Sequence, residues 1–291
     1  MGVLFGTDGI RGEAGKYPLD IPTIEQIGHS LASRLNRETG GNALLILGRD
    51  TRESGIWIEE AIVRGITAAG ATALSAGVIP TPGVAFLTKD LGAKAGIVIS
   101  ASHNPYEDNG IKIFSPSGKK LSDEIETSIE NDLLQLKGRS LPVSDRLVPA
   151  DSSLPPRYLS YLIEQVASGL SLSGMKIVLD CANGAASELA PKLFMALGAS
   201  VVVLNADPDG RNINKGCGAL HPELLQVAVR DTGAEIGFAF DGDADRLILV
   251  DNQGALLDGD SILYLLATYL SDRQKLSGNR VVDRKSTRLN S

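Results

Sequence analysis

One unit occurs twice in this chain and constrains its fold more than any other feature: apolar strand, polar loop, helix, Gly-Ala, second apolar strand. In the first copy residues 44–47 read as a buried strand and GRDTRESG (48–55) as the loop. Ile58, Ile62 and Ile66 then recur every fourth residue, which is one face of a helix. Gly70 and Ala71 lead into a strand over residues 73–78. In the second copy a strand at 177–179 runs into DCANGA (180–185) and a stripe of Leu189, Leu193 and Leu197. Gly198 stops that helix before a strand at 201–204. Such units place parallel strands side by side through right-handed crossovers, so the chain is predicted to be α/β with a duplicated architecture. Pro191 is expected in the first helical turn, where its missing N–H costs little. A further helix is predicted over 23–37, with Ile24, Ile27, Leu31 and Leu35 on one face. His29 falls off that stripe and reads as an exposed surface histidine.

With 291 residues, 43% of them hydrophobic, the chain has room for roughly two domains of ~100–200 residues. The Pro- and Ser-rich stretch at 137–156 marks one boundary. A second boundary is expected near 256–260. The predicted domains are 1–150, 155–255, and the start of a third α/β unit at 256–282 with a helix over 261–270. The net charge of −7 argues against nucleic-acid binding, which wants a basic surface. It leaves room for an anionic small substrate, which needs only a few local cations and oriented N–H groups. Cys181 and Cys217 are too few for a disulfide scaffold and read as reduced thiols. The opening lacks a basic, apolar leader and a myristoylation pattern, and no run approaches the ~18 apolar residues of a membrane span. A soluble, cytoplasmic protein is expected.

Three stretches carry the chemistry. In IVISASHNP (97–105) an apolar strand delivers a small polar turn with Ser100, Ser102 and His103. Ligands of α/β sheets bind at such strand ends. A serine hydroxyl needs a base or positioned charge to act as a nucleophile, and His103 or Lys112 could supply it. Local chemistry leaves a reactive hydroxyl and a plain solvated turn both open. In FAFDGDADRLILVD (238–251) Asp241, Asp243 and Asp245 repel one another across a tight turn, with Arg246 next. The flanking apolar strands should draw this turn into the core, so the carboxylates call for a cation, and hard oxygen ligands suit Mg²⁺. A calcium-binding EF-hand is excluded: its sixth and twelfth positions hold Arg246 and Asn252, where Gly and Glu belong, and strands replace the helices. In FGTDGIRG (5–12) glycines surround Asp8, and Arg11 could meet a phosphate; a structural turn is the competing reading.

Taken in order, FGTDGIRG, ISASHNP, DNGIKIFS, DCANGA and FDGDADR resemble the α-D-phosphohexomutase superfamily. GTDGIRG and NINKGCGA (212–219) resemble its bacterial phosphoglucosamine mutase branch more than its phosphomannomutase/phosphoglucomutase branch. The resemblance runs from residue 1 to about 282. It implies repeated mixed-sheet α/β domains around a cleft, four in the family, with the third incomplete and the fourth missing here. It implies a phosphorylated Ser102, needed for activity, and one Mg²⁺ held by Asp241, Asp243, Asp245 and the phosphoserine oxygen. Arg11 and Arg246 match arginines of the phosphoryl-transfer site, and His103 and Lys112 match residues near the transferred proton. Lys112 is the expected acid/base, provided a crowd of cations lowers its pKa. Ala244 stands where the family commonly has Gly. The implied activity is interconversion of glucosamine 6-phosphate and glucosamine 1-phosphate through a bisphosphate, in amino-sugar precursor synthesis.

The family's sugar-reading Glu loop and its distal phosphate loop have no match in this sequence, so impaired activity of this chain is expected. From residue 283 the sequence reads DRKSTRLNS, basic and polar where apolar strand residues belong, and is expected to be a non-native tail. An aspartyl-phosphate phosphatase with Asp241 as nucleophile is a rival reading, but it leaves ISASHNP unexplained. A non-catalytic module binding metal and sugar phosphate is another.

Overall fold

The computed structural model describes residues 4–6, 9–136 and 148–281. The N-terminal part runs β1 (Ile10–Glu13), α1 (Ile21–Thr39), β2 (Leu44–Arg49), α2 (Ser54–Ala68), β3 (Thr72–Val78), α3 (Thr81–Asp90), β4 (Ala95–Ile99), β5 (Asp108–Phe114) and α4 (Asp123–Leu136). Then come α5 (Leu154–Tyr161), continued by a wider π turn, β6 (Lys176–Asp180), α6 (Ala186–Ala196), β7 (Ser200–Leu204), α7 (Glu223–Thr232), β8 (Ile236–Phe240), β9 (Leu247–Asp251), β10 (Leu256–Leu257) and α8 (Gly259–Asp272).

Alternation along the strands builds two layers of core on each sheet, because successive side chains point to opposite faces. Leu45, Leu47, Ile97 and Ile99 pack under α1 and α2. Ile46 and Val98 face the other way, onto α3 and α5. In the second sheet Ile177 and Leu179 pack under α6, and Val178 packs with Leu225 and Val229 of α7. Each sheet is therefore covered on both faces, as strands in parallel pairs require.

The first sheet has the order β1-β5-β4-β2-β3 and the second β10-β9-β8-β6-β7. In both, the first two pairs of that order are antiparallel and the last two parallel. The registers coincide as well. Leu45 pairs with Ala95 and Ile46 with Gly96, while Ile177 pairs with Ile236 and Val178 with Gly237. Gly96 and Gly237 thus hold the same place, and each lies directly beneath a helix. A Cβ at Gly96 would strike Thr88 and Val84 of α3, and one at Gly237 would strike Val229 and Leu225 of α7. The expected duplication is present at the level of strand order, register and helix seating.

Some local expectations change. The DCANGA turn closes early, with Ser187 N donating to Gly184 O at 3.1 Å, so α6 starts at Ala186 and Pro191 is its sixth residue, past the first turn. His29 is half-buried, not exposed. Helices α1 and α2 approach closely at Gly28 and Gly65, and burial lowers the pKa of the His29 ring. Helix α5 carries Tyr158 and Tyr161 onto Phe86 of α3, with ring centroids 5.7 and 4.1 Å apart. It therefore packs on the first sheet although it follows the expected boundary. The second sheet runs on to β10, and α8 begins at once with Asp258 as its N-cap. No residue of α8 is buried; Tyr264, Leu265, Leu266 and Tyr269 are exposed. Residues 137–147 of the expected linker, Thr7 and Asp8 of the opening motif, and the tail at 283–291 lie outside the described residues. Among the described residues no helix is long and apolar enough to cross a membrane.

Candidate metal and phosphoryl-transfer centre

The connection from β4 to β5 and the turn from β8 to β9 leave their sheets at matching positions and meet. Ser102 is fully buried and sits in the left-handed region with φ 54°. Its Oγ donates to Asp241 Oδ2 at 2.6 Å, across 139 residues of sequence. His103 Nδ1 lies 3.3 Å from the same hydroxyl. The β8–β9 hairpin draws Asp241 and Asp243 inside to 1% exposure, while Asp245 stays at the surface.

Close backbone approach makes this meeting possible. A Cβ at Gly242 would lie 2.5 Å from Ser102 O, and a Cβ at Gly184 would collide with the backbone of Gly242. Only hydrogen fits at these two places.

The three aspartates offer oxygens that all lie within 4.8 Å of one another. Asp243 Oδ1 is buried without a hydrogen-bond partner. A buried carboxylate oxygen left bare is costly unless a cation takes it. The donor set is all carboxylate with a hydroxyl beside it, which fits a hard divalent ion such as Mg²⁺. Burial and the neighbouring Asp243 push the Asp241 carboxyl up to about 6. Burial would raise Asp243 too, but Lys112 and the Thr81 and Ser102 hydroxyls outweigh it and hold its carboxyl below the usual range.

Lys112 lies on β5, with Nζ 2.6 Å from Asp243 Oδ2 and 3.1 Å from Asp245 Oδ2. The expectation of a lowered lysine pKa is overturned. Burial disfavours the ammonium, but the two carboxylates it touches outweigh burial, and its pKa lies above the ordinary value. The cations gather instead around His103, whose pKa is lowered by burial, Arg246 and Arg11. Arg246 follows the acidic turn, its backbone N donates to Asp241 Oδ1 at 3.2 Å, and its side chain is half-exposed. Arg11 lies on β1, paired with Gly110.

Sequence reasoning missed the supports of this centre. Arg52 is fully buried with Asp50, Nε to Oδ2 at 2.8 Å. Its guanidinium also donates to the backbone carbonyls of Ser102, Asn104, Pro105 and Asp108. Ser100 Oγ joins the group, donating to Asp50 Oδ2 at 2.6 Å and accepting from Ser102 N at 2.9 Å. From the second sheet, Asn214 Nδ2 reaches Ser102 O at 2.8 Å and Asn104 O at 3.1 Å. Thr81, at the start of α3, donates its Oγ1 to Asp243 Oδ2 at 2.6 Å and its N to Asp243 O at 2.9 Å. The one available signal for Asp50 and Arg52 was opposite charges placed in a polar loop between an apolar strand and a helix.

Comparison with known proteins agrees with this arrangement. The sequence profile described as phosphoglucomutase/phosphomannomutase, alpha/beta/alpha domain I, matches residues 2–139, and the one for alpha/beta/alpha domain II matches residues 156–254. The phosphoglucosamine mutase of Syntrophus aciditrophicus is 48% identical over 97% of this chain and 63% of its own length. That of Moorella thermoacetica is 48% identical over the same shares, 97% and 63%. A crystal structure of a phosphoglucomutase/phosphomannomutase family protein from Burkholderia thailandensis superposes with a TM-score of 0.78 at 32% identity, covering 93% of this chain and 59% of that one. The chain thus spans just under two thirds of the curated relatives it matches. With both domain profiles matched in order, and with the Ser102 loop and the aspartate turn seated face to face, the chain belongs to the phosphoglucomutase/phosphomannomutase family.

Proposed function

We propose that this chain carries the phosphoryl-transfer centre of a phosphoglucosamine mutase, with Ser102 as the phosphoryl carrier. The observation that supports it most is the 2.6 Å contact between Ser102 Oγ and Asp241 Oδ2, which puts a hydroxyl beside three clustered carboxylates. Asp241, Asp243, Asp245 and the Ser102 oxygen would hold one Mg²⁺, which when bound neutralises charge on a transferring phosphoryl group.

The chain's own residues do the rest by positioning and charge. Phosphorylated Ser102 gives its phosphoryl group to the free C1 hydroxyl of glucosamine 6-phosphate, whose proton is taken up as the new P–O bond forms. The bisphosphate reorients, and Ser102 Oγ takes back the phosphoryl group at C6, leaving glucosamine 1-phosphate. His103, 3.3 Å from Ser102 Oγ, is within reach to exchange a proton with that hydroxyl. Lys112 is held as an ammonium between Asp243 and Asp245, and serves as a fixed positive charge. Arg11 and Arg246 supply two more cations on the side of His103. The identity of the relatives supports glucosamine phosphate over other hexose phosphates.

The test is phosphopeptide mapping of the chain after incubation with Mg²⁺ and glucose 1,6-bisphosphate, with coupled assays on glucosamine, glucose and mannose phosphates. Acid-stable phosphate on Ser102 and preference for glucosamine phosphate are expected. Hydroxylamine-labile phosphate on Asp241 would overturn the carrier assignment. Preference for glucose or mannose phosphate would overturn the substrate assignment.

A further inference from the structure

The backbone of the Ser102 loop is gripped from both halves of the molecule at the same two atoms. Arg52 reaches Ser102 O at 3.0 Å and Asn104 O at 2.9 Å from the first sheet. Asn214 reaches Ser102 O at 2.8 Å and Asn104 O at 3.1 Å from the second. Asn214 is itself fixed to the second half: its N donates to Ala182 O at 2.9 Å, and it lies in the left-handed region with φ 58°. A Cβ on Gly242, in the aspartate turn, would lie 2.9 Å from Asn214 Nδ2 and 2.5 Å from Ser102 O. The amide therefore sits in the seam between the hydroxyl-bearing loop and the carboxylate-bearing turn.

We infer that Asn214 is a positioning residue for phosphoryl transfer: its side-chain amide, acting on main-chain carbonyls, holds Ser102 in register with the aspartates of the other half. Arg52 and Ser100 fix the loop to the first half, and a loop so fixed can still shift against the second. Asn214 supplies the bond from the Ser102 carbonyl across that seam. Its amide has two N–H donors and both find a carbonyl, so neither donor is left for a ligand. A displacement of about 1 Å at a reacting atom costs on the order of 10²-fold in rate. This inference rests on the phosphoryl-carrier reading of Ser102.

Two variants separate positioning from backbone tolerance. Asn214→Gly keeps, and even favours, the left-handed conformation but removes the amide. Asn214→Asp keeps the shape and turns a carboxylate on the two carbonyls. Phosphate uptake on Ser102 from glucose 1,6-bisphosphate and Mg²⁺ is followed by intact mass, Mg²⁺ affinity by calorimetry, and loop order by amide hydrogen exchange. The expected result is uptake slowed about 10–10²-fold in Asn214→Gly and more in Asn214→Asp, with Mg²⁺ affinity within about threefold of the unaltered chain. Faster exchange across residues 100–108 is expected in both. Wild-type uptake in Asn214→Gly, or unchanged exchange across those residues, would overturn the inference. If the unaltered chain takes up no phosphate, the carrier reading fails, and exchange across residues 100–108 still decides whether Asn214 orders the loop.

Discussion

In the first sheet, β4 leaves the parallel core into an eight-residue excursion, 100–107, before returning as β5. In the second, β8 leaves from the matching register and returns as β9 after residues 241–246. In the long connection Ser102, at φ 54°, is fastened by Ser100 from within the loop and by Arg52 and Asn214 from outside it. The short one closes on itself, with Ala244 N on Asp241 O at 3.0 Å and Arg246 N on Asp241 Oδ1, and is held from outside by Thr81, Ala185 and Ser102. One topology thus yields a hydroxyl carried on a long loop and a charge cluster carried on a short turn. A duplicated scaffold can divide a reaction between its copies by changing the length of one connection.

The sharpest way to break this division is to disable each connection separately. Ser102→Ala should abolish phosphate incorporation, read by intact mass, while leaving Mg²⁺ binding measurable by calorimetry. Asp243→Asn should weaken Mg²⁺ binding roughly 10²-fold or more, while the Ser102 loop keeps its amide protection. If either variant removes both properties at once, the two connections are not separate devices. At the level of the scaffold, Gly96→Ala and Gly237→Ala should each cost about 1–3 kcal/mol by denaturant unfolding, since both Cβ atoms would press into helix side chains. A large difference between them would mean that the two sheets seat their helices unequally. Ala244→Gly should stabilise the short turn by up to about 1 kcal/mol, seen as a small rise in Tm, because φ 53° is strained for Ala. The smallest effect concerns Cys181 and Cys217, both in the second half. Burial pushes both thiols up to about 12, so neither should react with iodoacetamide at pH 8 while the chain is folded.

Much of the scaffold was legible because its signals are local. The fourfold spacing of Ile58, Ile62 and Ile66 matches a buried face of α2, and the runs at 44–47 and 177–179 fall within β2 and β6. The aspartate cluster was legible for the same reason, since three carboxylates two residues apart between apolar strands need a cation whatever the rest of the chain does. The support of Ser102 was not. Arg52 lies 50 residues before it and Asn214 112 residues after it, and nothing in either segment says which loop it will face. For Lys112 the direction of the pKa shift was hidden for a related reason. Its neighbours in sequence gave no hint that Asp243 and Asp245 would be its partners and set the sign of its pKa shift.

The contact between Thr81 and Asp243 has a consequence for how the two halves communicate. Asp243 belongs to the second half, yet its backbone oxygen and one carboxylate oxygen are both held by the first residue of a helix in the first. A cation on the aspartates and the closure of the two halves therefore share one group, and their free energies are linked. By reciprocity, whatever factor the ion applies to the strength of this contact, the contact applies to the ion's affinity. Ion affinity is then a readout of the contact between Thr81 and Asp243.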